Sequence, residues 1–198
     1  TLYIFKKNTY ALQAPVYGGA TPPALCKFPA LIHSLTCYFE GQPDPAINQE
    51  KWYTYGAYGN VTQQQLTSTS MDMVVVNITY HPQQNGNYCV GIPKSVEVPG
   101  YRKRTTLIDN KGRFTDIDDY YNANNYLRTH MDYDDYGNCI RIRYPNHGYS
   151  YGYDTQVHSY PVSVRDTFGH TSYAQDYDFR FGVPRTIIDK NGSHMEYT

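Results

Sequence analysis

The stretch Met131-Asp-Tyr-Asp-Asp-Tyr-Gly-Asn-Cys-Ile-Arg-Ile-Arg-Tyr144 contains the pattern that decides the fold. Its first half is aromatic and acidic and ends at Gly137-Asn138, two residues that adopt positive φ at little cost and so favour a tight turn. Its second half alternates with period two, which is typical of a half-buried strand. The alternation predicts an apolar and a polar face, formed by Ile140, Ile142 and Tyr144 and by Cys139, Arg141 and Arg143. The stretch therefore predicts a β-hairpin.

The composition indicates that this hairpin belongs to a β-rich protein. The chain has 198 residues, of which 23 are tyrosine, a residue that favours strands and buries a large ring while its hydroxyl reaches water or a partner. Mean hydropathy is low at -0.66, but disordered chains are poor in aromatic residues. A net charge of -1 gives no electrostatic basis for binding nucleic acid or inserting into an anionic membrane. We therefore expect a folded all-β protein with neither partner.

Both ends of the chain resemble the middle of a strand. It opens on Thr1-Leu-Tyr-Ile-Phe5 and stops at Glu196-Tyr-Thr198. No apolar run is long enough to span a bilayer, and no apolar segment follows Lys6-Lys7 as a signal peptide would require. These observations predict a fragment of a longer chain, with any localisation signal outside it.

The turn pattern recurs along the chain. Each copy has a glycine followed by a polar residue, and most have an aspartate three residues before the glycine. The predicted structural turn residues are Tyr55, Gly59, Asn60, Asp109, Gly112, Arg113, Tyr133, Asp134, Gly137, Asn138, Asp166, Gly169, Asp189 and Gly192. The turn glycines are separated by 53, 25, 32 and 23 residues, and Gln83-Gln-Asn-Gly86-Asn87 is a candidate for the turn missing from the longest interval.

Such a unit has a physical basis. Glycine allows the turn, and the carboxylate of the upstream aspartate accepts hydrogen bonds from backbone N–H groups across it. Tyrosines at alternate positions before the turn lie on one face, where neighbouring hairpins are expected to stack their rings. Because one hairpin is marginally stable alone, repetition predicts consecutive antiparallel hairpins stacked in an elongated architecture.

The chain divides by pattern into two regions. Residues 1–50 are predicted to be an irregular β and loop segment, with a strand at Leu31 to Phe39, and residues 51–198 to be the region of repeated hairpins. The best candidate for a helix, Asp116 to Leu127, has no apolar stripe at helical spacing. We therefore expect loop and strand there.

These residues resemble the YD repeats of the Rhs family, which includes bacterial polymorphic toxins, wall-associated proteins, toxin-complex proteins and teneurins. Tyr133-Asp134-Asp-Tyr-Gly137-Asn138 matches the repeat directly, and Asp109 to Arg113 and Asp189 to Gly192 match its turn half. Trp52 to Asn60 departs from the pattern because Gly56 stands where the family has aspartate. The resemblance covers about residues 51 to 198.

The resemblance implies a broad, curved sheet of consecutive hairpins, as in a segment of a β-spiral shell. It implies a non-catalytic structural role in which the shell encapsulates or presents a toxin or effector, outside the cell or at the bacterial surface. The implied partners are adjoining segments of the same polypeptide and the enclosed toxin. The family's autoproteolytic motif, Asp-Pro-x-Gly, is not expected because the chain has only Asp44-Pro45-Ala-Ile.

Other chemistry finds little support in the residue spacing. Asp132-x-Asp134 with Gly137 resembles a calcium loop, but Tyr136 and Arg143 occupy positions that require oxygen ligands. Asp116, Asp118 and Asp119 are expected to form a solvated loop rather than a cation site. Seven scattered histidines show no zinc spacing. We predict no catalytic residue, no metal site and no cofactor.

Two questions remain open from the residues. The four cysteines are either free thiols or, in a secreted protein, include a bridge between Cys26 and Cys37. Trp52 and the rows of tyrosine either hold the sheet together or form a surface that stacks on sugar rings. The second possibility is an alternative function: a secreted or cell-surface module that binds carbohydrate or a partner protein through aromatic-rich strands.

Overall fold

The structure, a computed structural model, describes residues 3–14, 27–82 and 90–197. Every regular element in these ranges is a β-strand, and none is a helix. The strands are β1 (Ile4–Gln13), β2 (Phe28–Tyr38), β3 (Ile47–Tyr55), β4 (Val61–Ser68), β5 (Met71–Tyr80), β6 (Pro93–Val98), β7 (Arg102–Ile108), β8 (Phe114–Tyr120), β9 (Tyr126–Tyr133), β10 (Cys139–Arg143), β11 (Gly148–Tyr153), β12 (Pro161–Asp166), β13 (Thr171–Asp178), β14 (Val183–Ile188) and β15 (His194–Glu196). The predicted all-β class is confirmed.

The strands form one antiparallel sheet of 15 strands in simple sequence order, so each strand pairs with its neighbours in the chain. The predicted strand at Leu31 to Phe39 corresponds to most of β2. The region Asp116 to Leu127 is the end of β8, a short loop and the start of β9, as the lack of an apolar stripe predicted. Consecutive hairpins therefore account for the described chain.

The described chain forms two compact units that divide within β7 and β8. Unit 1 contains β1 to β6 and most of β7; unit 2 contains most of β8 and β9 to β15. The boundary that the sequence suggested near residue 50 falls inside β3, and β2 pairs directly with β3. The described residues before 50 thus add strands to the same sheet.

In unit 2 the strand register separates an apolar face from a polar face. Ile142 of β10 pairs with Met131 of β9 and Tyr149 of β11. The preceding residue of β10, Arg141, pairs with Asp132 and Ser150 on the opposite face. Paired residues share a face, so tyrosines and aliphatic side chains collect on one side and charged groups on the other.

The faces predicted for β10 need one correction. The sequence placed Cys139 with Arg141 and Arg143, but Cys139 pairs with Tyr133 and the register shifts before Arg141. A β-bulge inserts one extra residue at Ile140, so the alternation changes phase there. Cys139 therefore lies on the apolar face with Ile142, and the predicted placement was wrong.

Few hydrophobic residues are buried. Among the described residues, Ala30 and Cys37 are the only buried hydrophobic ones. A single sheet buries side chains only against their neighbours on the same face, so it has no second layer to complete a core. Stability must come largely from ladder hydrogen bonds, side-chain contacts along each face and the connections between strands.

Candidate functional site

The turn from Asp134 to Asn138 shows how the repeated motif works. Gly137 has φ 99°, which only glycine adopts readily. The Asp134 N–H donates to the Asn138 carbonyl at 3.0 Å, and the Asn138 N–H donates to Asp134 Oδ1 at 2.8 Å. Partial burial opposes the charge of Asp134, but hydrogen bonds from Asn138 and the turn N–H groups hold its pKa below the usual value.

Three other turns have the same geometry. Their aspartates are Asp109, Asp166 and Asp189, and each accepts a bond from the N–H four residues later at 2.8–2.9 Å. The glycines of these turns, Gly112, Gly169 and Gly192, have φ of 83°, 91° and 84°. The structure thus places every predicted aspartate and glycine of the motif in a tight connection.

The turn from Gly56 to Asn60 lacks the carboxylate. Its backbone follows the same path, since the Gly56 N–H donates to the Asn60 carbonyl at 2.8 Å and Gly59 has φ 79°. Gly56 has no side chain to accept the N–H of Asn60. The turn therefore keeps the geometry of the repeat through backbone bonds and Gly59 alone.

In three turns the residue that follows the turn glycine also reaches the next connection at the same end of the strands, a role that sequence reasoning missed. Arg113 Nη1 donates to the carbonyl of Asp134 at 3.1 Å. Asn138 Nδ2 donates to the carbonyl of His158 at 2.6 Å, and Asn60 Nδ2 donates to the carbonyl of Val90. Each of these side chains ties its own turn to the connection two strands further along the chain.

A second set of links comes from tyrosines at the ends of odd-numbered strands. The Tyr133 hydroxyl donates to the carbonyl of Phe114, the first residue of β8, at 2.9 Å. Equivalent bonds of 2.7–3.1 Å join four further donor and acceptor pairs: Tyr55 to Leu31, Tyr80 to Val61, Tyr153 to Cys139 and Tyr177 to Pro161. Burial raises the pKa of all five phenols. Each bond ties a hairpin to the one before it.

These bonds change the role predicted for the tyrosines. The sequence predicted that rings of adjacent hairpins stack in a ladder. Some rings do stack, as Tyr160 and Tyr177 do with centroids 5.3 Å apart. The recurrent link, however, is a hydrogen bond from a tyrosine hydroxyl to a backbone carbonyl. Each such bond contributes about 1 kcal/mol to stability. Tyr80, Tyr153 and Tyr177 were not among the predicted turn residues, although a tyrosine in the last two positions of each of these strands was a visible signal.

The predicted turns do not all follow strands of the same direction. Gly59, Gly112 and Gly137 lie in connections after odd-numbered strands, whereas Gly169 and Gly192 lie after even-numbered strands. In an antiparallel sheet these two classes lie at opposite ends of the strands. The candidate turn Gln83 to Asn87 lies outside the described residues.

The connection after β11 is wider and is organised by Asp154. Five successive backbone N–H groups, those of residues 156 to 160, donate to its two carboxylate oxygens at 2.6–3.2 Å. Burial disfavours the charge, but these N–H groups outweigh it and hold the pKa of Asp154 well below the usual value. The sequence showed a Tyr-Asp pair here without indicating the size of the loop.

On the polar face of unit 2, charged side chains of three adjacent strands form one network, which we call the charged row. Its members are Asp116 and Asp118 of β8, Arg128, His130 and Asp132 of β9, and Arg143 of β10. Arg128 binds Asp118 through two bonds of 2.7 and 2.8 Å. Asp116 and Asp118 are only 8% and 6% exposed, so their charged carboxylates depend on these partners. The solvated loop predicted for Asp116, Asp118 and Asp119 was wrong, because all three lie in β8.

His130 is held between two carboxylates of the charged row. Its Nδ1 lies 2.8 Å from Asp116 Oδ1, and its Nε2 lies 3.1 Å from Asp132 Oδ1. Both nitrogens can donate only in the imidazolium form. The hydrogen bond to Asp116 is the main reason that the pKa of His130 is raised. Burial opposes the charge of Asp116, but His130 and other donors outweigh it and lower its pKa.

This arrangement predicts a pH dependence of stability. Because the folded pKa of His130 is above the unfolded value, its stabilising effect is complete below the unfolded pKa and is lost as pH rises through the folded pKa. Urea unfolding from about pH 6 to about pH 9 should show wild type losing more stability than His130→Gln. His194→Gln, which alters an exposed histidine, should follow wild type. Parallel curves for wild type and His130→Gln would contradict the assignment.

The remaining predicted sites have structural partners. Asp132 faces the charged row while Asp134 is used by its turn, so the two carboxylates do not converge as calcium ligands. No group of three or more metal-binding side chains occurs in the described part of the chain. Cys37 is buried and Cys139 is partly buried, and they do not pair with each other; Cys26 and Cys89 lie outside the described residues. Within residues 3–14, 27–82 and 90–197, no helix is long and apolar enough to cross a lipid bilayer.

Comparison with solved structures identifies the architecture. The crystal structure of TcdB2-TccC3-TEV superposes with a TM-score of 0.74 at 10% sequence identity, covering 99% of this chain and 15% of that chain. TcdB2-TccC3 without its hypervariable C-terminal region gives a TM-score of 0.71 over the same shares. The chain has the fold of a YD-repeat shell.

The YD-repeat shell fold agrees with the resemblance noted in the sequence, because TcdB2-TccC3 is a Tc toxin component of the Rhs type. A Tc holotoxin pore of Photorhabdus luminescens matches more loosely, with a TM-score of 0.56 and 12% identity over 99% of this chain and 10% of that one. No protein-family model and no curated protein matches the sequence. These coverages mean that the chain spans about a seventh or less of the length of the YD-repeat shell proteins that it matches.

Proposed function

We propose that the chain is a non-catalytic structural segment of a YD-repeat shell that encapsulates or presents a toxic polypeptide. The observation that carries the proposal is the superposition of 99% of the chain on the Tc toxin component TcdB2-TccC3. In this role the segment provides consecutive hairpins of the shell wall. The enclosed or presented polypeptide is supplied elsewhere in the same or an associated protein.

The use of the polar side chains supports a structural role. Carboxylates at the connections accept backbone N–H groups, and those of the charged row are paired with Arg128 and His130. Groups committed to fixed internal bonds are poorly placed to bind and transform a substrate. The hydrogen bonds between connections two strands apart, in contrast, hold neighbouring hairpins together, as the wall of a shell requires.

The two faces of unit 2 support the same role. A shell wall separates an interior from the solvent, and a sheet with one tyrosine-rich apolar face and one charged face has sides suited to different surroundings. The partners in this proposal are adjoining strands of the parent polypeptide and the enclosed toxin. The expected location is outside the producing bacterium or at its surface, as for a secreted toxin complex.

Protease protection in the full-length natural protein tests the proposal. The intact protein should contain a C-terminal polypeptide that resists added proteinase K and becomes sensitive once urea unfolds the shell. Asp154→Ala should expose that polypeptide at a lower urea concentration, whereas Asp135→Ala, in an exposed turn position, should not. Mass spectrometry of the proteolytic fragments shows whether the C-terminal polypeptide has been cleaved. Equal cleavage of this polypeptide before and after unfolding, or its absence, would refute encapsulation.

A further inference from the structure

Unit 1 carries a groove on its sheet at the only tryptophan of the chain. The groove has a volume of about 620 Å³, within the range of small-molecule sites. Its lining residues are Ile32, Trp52, Tyr53, Thr54, Gln65, Thr67 and Met73, which come from β2, β3, β4 and β5. None of these side chains is charged, so the groove suits a neutral ligand.

The tryptophan is held in place before any ligand arrives. Trp52 pairs in register with His33 of β2, and their rings stack with centroids 5.1 Å apart at 25°. His33 Nε2 is itself 3.0 Å from Glu50 Oε2. A ring fixed in this way loses little conformational entropy when a second flat surface packs against it.

The side-chain amide of Gln65, on the neighbouring strand β4, has a fixed orientation beside Trp52. Gln65 pairs directly with Trp52, and its Nε2 donates to Gln63 Oε1 at 2.9 Å. Gln63 Nε2 in turn donates to Asn77 Oδ1 at 3.0 Å, which sets the direction of both amides. Gln65 Oε1 accepts no hydrogen bond within the described residues, so it is available to a hydroxyl donor in the groove.

The backbone N–H and C=O groups of the strands beneath the groove already take part in strand pairing. β3 pairs with β2 on one side and with β4 on the other, and β4 also pairs with β5. An extended peptide therefore finds no free strand edge here and cannot bind by adding a strand. Recognition must come from the side chains: an indole face, an amide oxygen and the hydroxyls of Thr54 and Thr67.

We propose that this groove binds a neutral carbohydrate by stacking a pyranose ring on Trp52. The apolar face of the sugar covers the indole, while its hydroxyl groups donate to Gln65 Oε1 and exchange hydrogen bonds with the Thr54 hydroxyl. The Thr67 hydroxyl donates to the Met71 carbonyl at 3.3 Å, so it serves the sugar as an acceptor. This site is independent of the shell role, because a shell wall can carry it on either surface. The sequence indicated an aromatic-rich surface that could stack on sugar rings but did not locate the binding position. The groove places that position at Trp52 and specifies a neutral ligand.

Fluorescence of Trp52 tests the site directly, because the chain has a single tryptophan, whose emission lies at longer wavelength than that of tyrosine. The purified chain is titrated with neutral hexasaccharides of glucose, mannose, xylose and N-acetylglucosamine. At least one should give a saturable change in emission. Gln65→Ala should weaken that binding about tenfold through loss of one hydrogen bond, and Tyr101→Ala, which removes an exposed ring in another connection, should not change it.

Calorimetry with Trp52→Phe and Trp52→Ala completes the test, with thermal melts by circular dichroism to confirm folding. Phenylalanine should retain weakened binding and alanine should abolish it. The proposal is overturned if no sugar gives a saturable signal by fluorescence or calorimetry. It is also overturned if folded Trp52→Ala binds the sugar like wild type. None of these outcomes affects protease protection of the shell, so the two proposals fail separately.

Discussion

Replacing Asp154 with alanine should lower the Tm of the chain by roughly 5 to 10 °C. The residue is only 7% exposed, and its carboxylate accepts five consecutive backbone N–H groups of the connection between β11 and β12. Alanine leaves these donors without a common acceptor in a segment that has no regular structure to satisfy them. Thermal melts by circular dichroism at neutral pH measure the change.

Two variants separate the effect of hydrogen bonding from that of charge. Asp154→Asn replaces one acceptor oxygen with a donor, so it should destabilise although its shape is preserved. Asp135→Ala removes a similar charge from an exposed turn position and should shift the Tm by less than about 1 °C. Equal effects of Asp154→Ala and Asp135→Ala would show that the N–H groups do not depend on the carboxylate.

The effect of Asp154 should also depend on pH. Its folded pKa is depressed, so its stabilising effect is complete above the unfolded pKa, about 4, and decreases as pH falls towards the folded pKa. The difference in Tm between wild type and Asp154→Asn should therefore narrow below about pH 4.

The second large effect is expected in the charged row. Arg128→Met should reduce the free energy of unfolding by about 2 kcal/mol, because it leaves the buried carboxylate of Asp118 without its bidentate partner. We expect a smaller loss of stability than for a fully buried ion pair because the Arg128 side chain is 42% exposed. The double variant Arg128→Met/Asp118→Leu should recover most of the loss, since it removes the unpaired charge as well. Urea unfolding of wild type, Arg128→Met, Asp118→Leu and the double variant forms a double-mutant cycle.

Arg102 provides a matched control for this cycle. Its guanidinium lies 3.8 Å from Asp119, but its side chain is 71% exposed, so Arg102→Met should cost less than about 0.5 kcal/mol. If Arg128→Met were no more costly than Arg102→Met, or if the double variant were as unstable as Arg128→Met, burial of the Asp118 charge would not be the cause.

The sequence predicted the features whose causes are local. The Asp134 and Gly137 turn was visible because the positive φ and the carboxylate-to-N–H bond both act within five residues. The all-β class followed from alternation and tyrosine content, and the resemblance to YD repeats rested on the same turns. Even Gly56, which departs from the motif, was correctly located at a turn because its partner glycine remained.

The features that the sequence did not show depend on strand register. A single bulged residue at Ile140 reverses the face of Cys139, and no local propensity marks that position. Asp116, Arg128 and His130 were seen as separate residues because the register that brings β8 and β9 together is set by the whole hairpin. The hydroxyl bonds from Tyr153 and Tyr177 join residues 14 and 16 positions apart for the same reason.

The bonds between connections two strands apart limit how such a chain can grow. In unit 2, Arg113 reaches the connection after β9, and Asn138 reaches the connection after β11, so each bond spans two strands. Gene duplication or deletion that adds or removes a pair of strands keeps every donor opposite an acceptor, whereas a change of one strand sends all later connections to the opposite end. Length variation among natural relatives should therefore occur in whole hairpins, and engineered insertions of whole hairpins should be tolerated best.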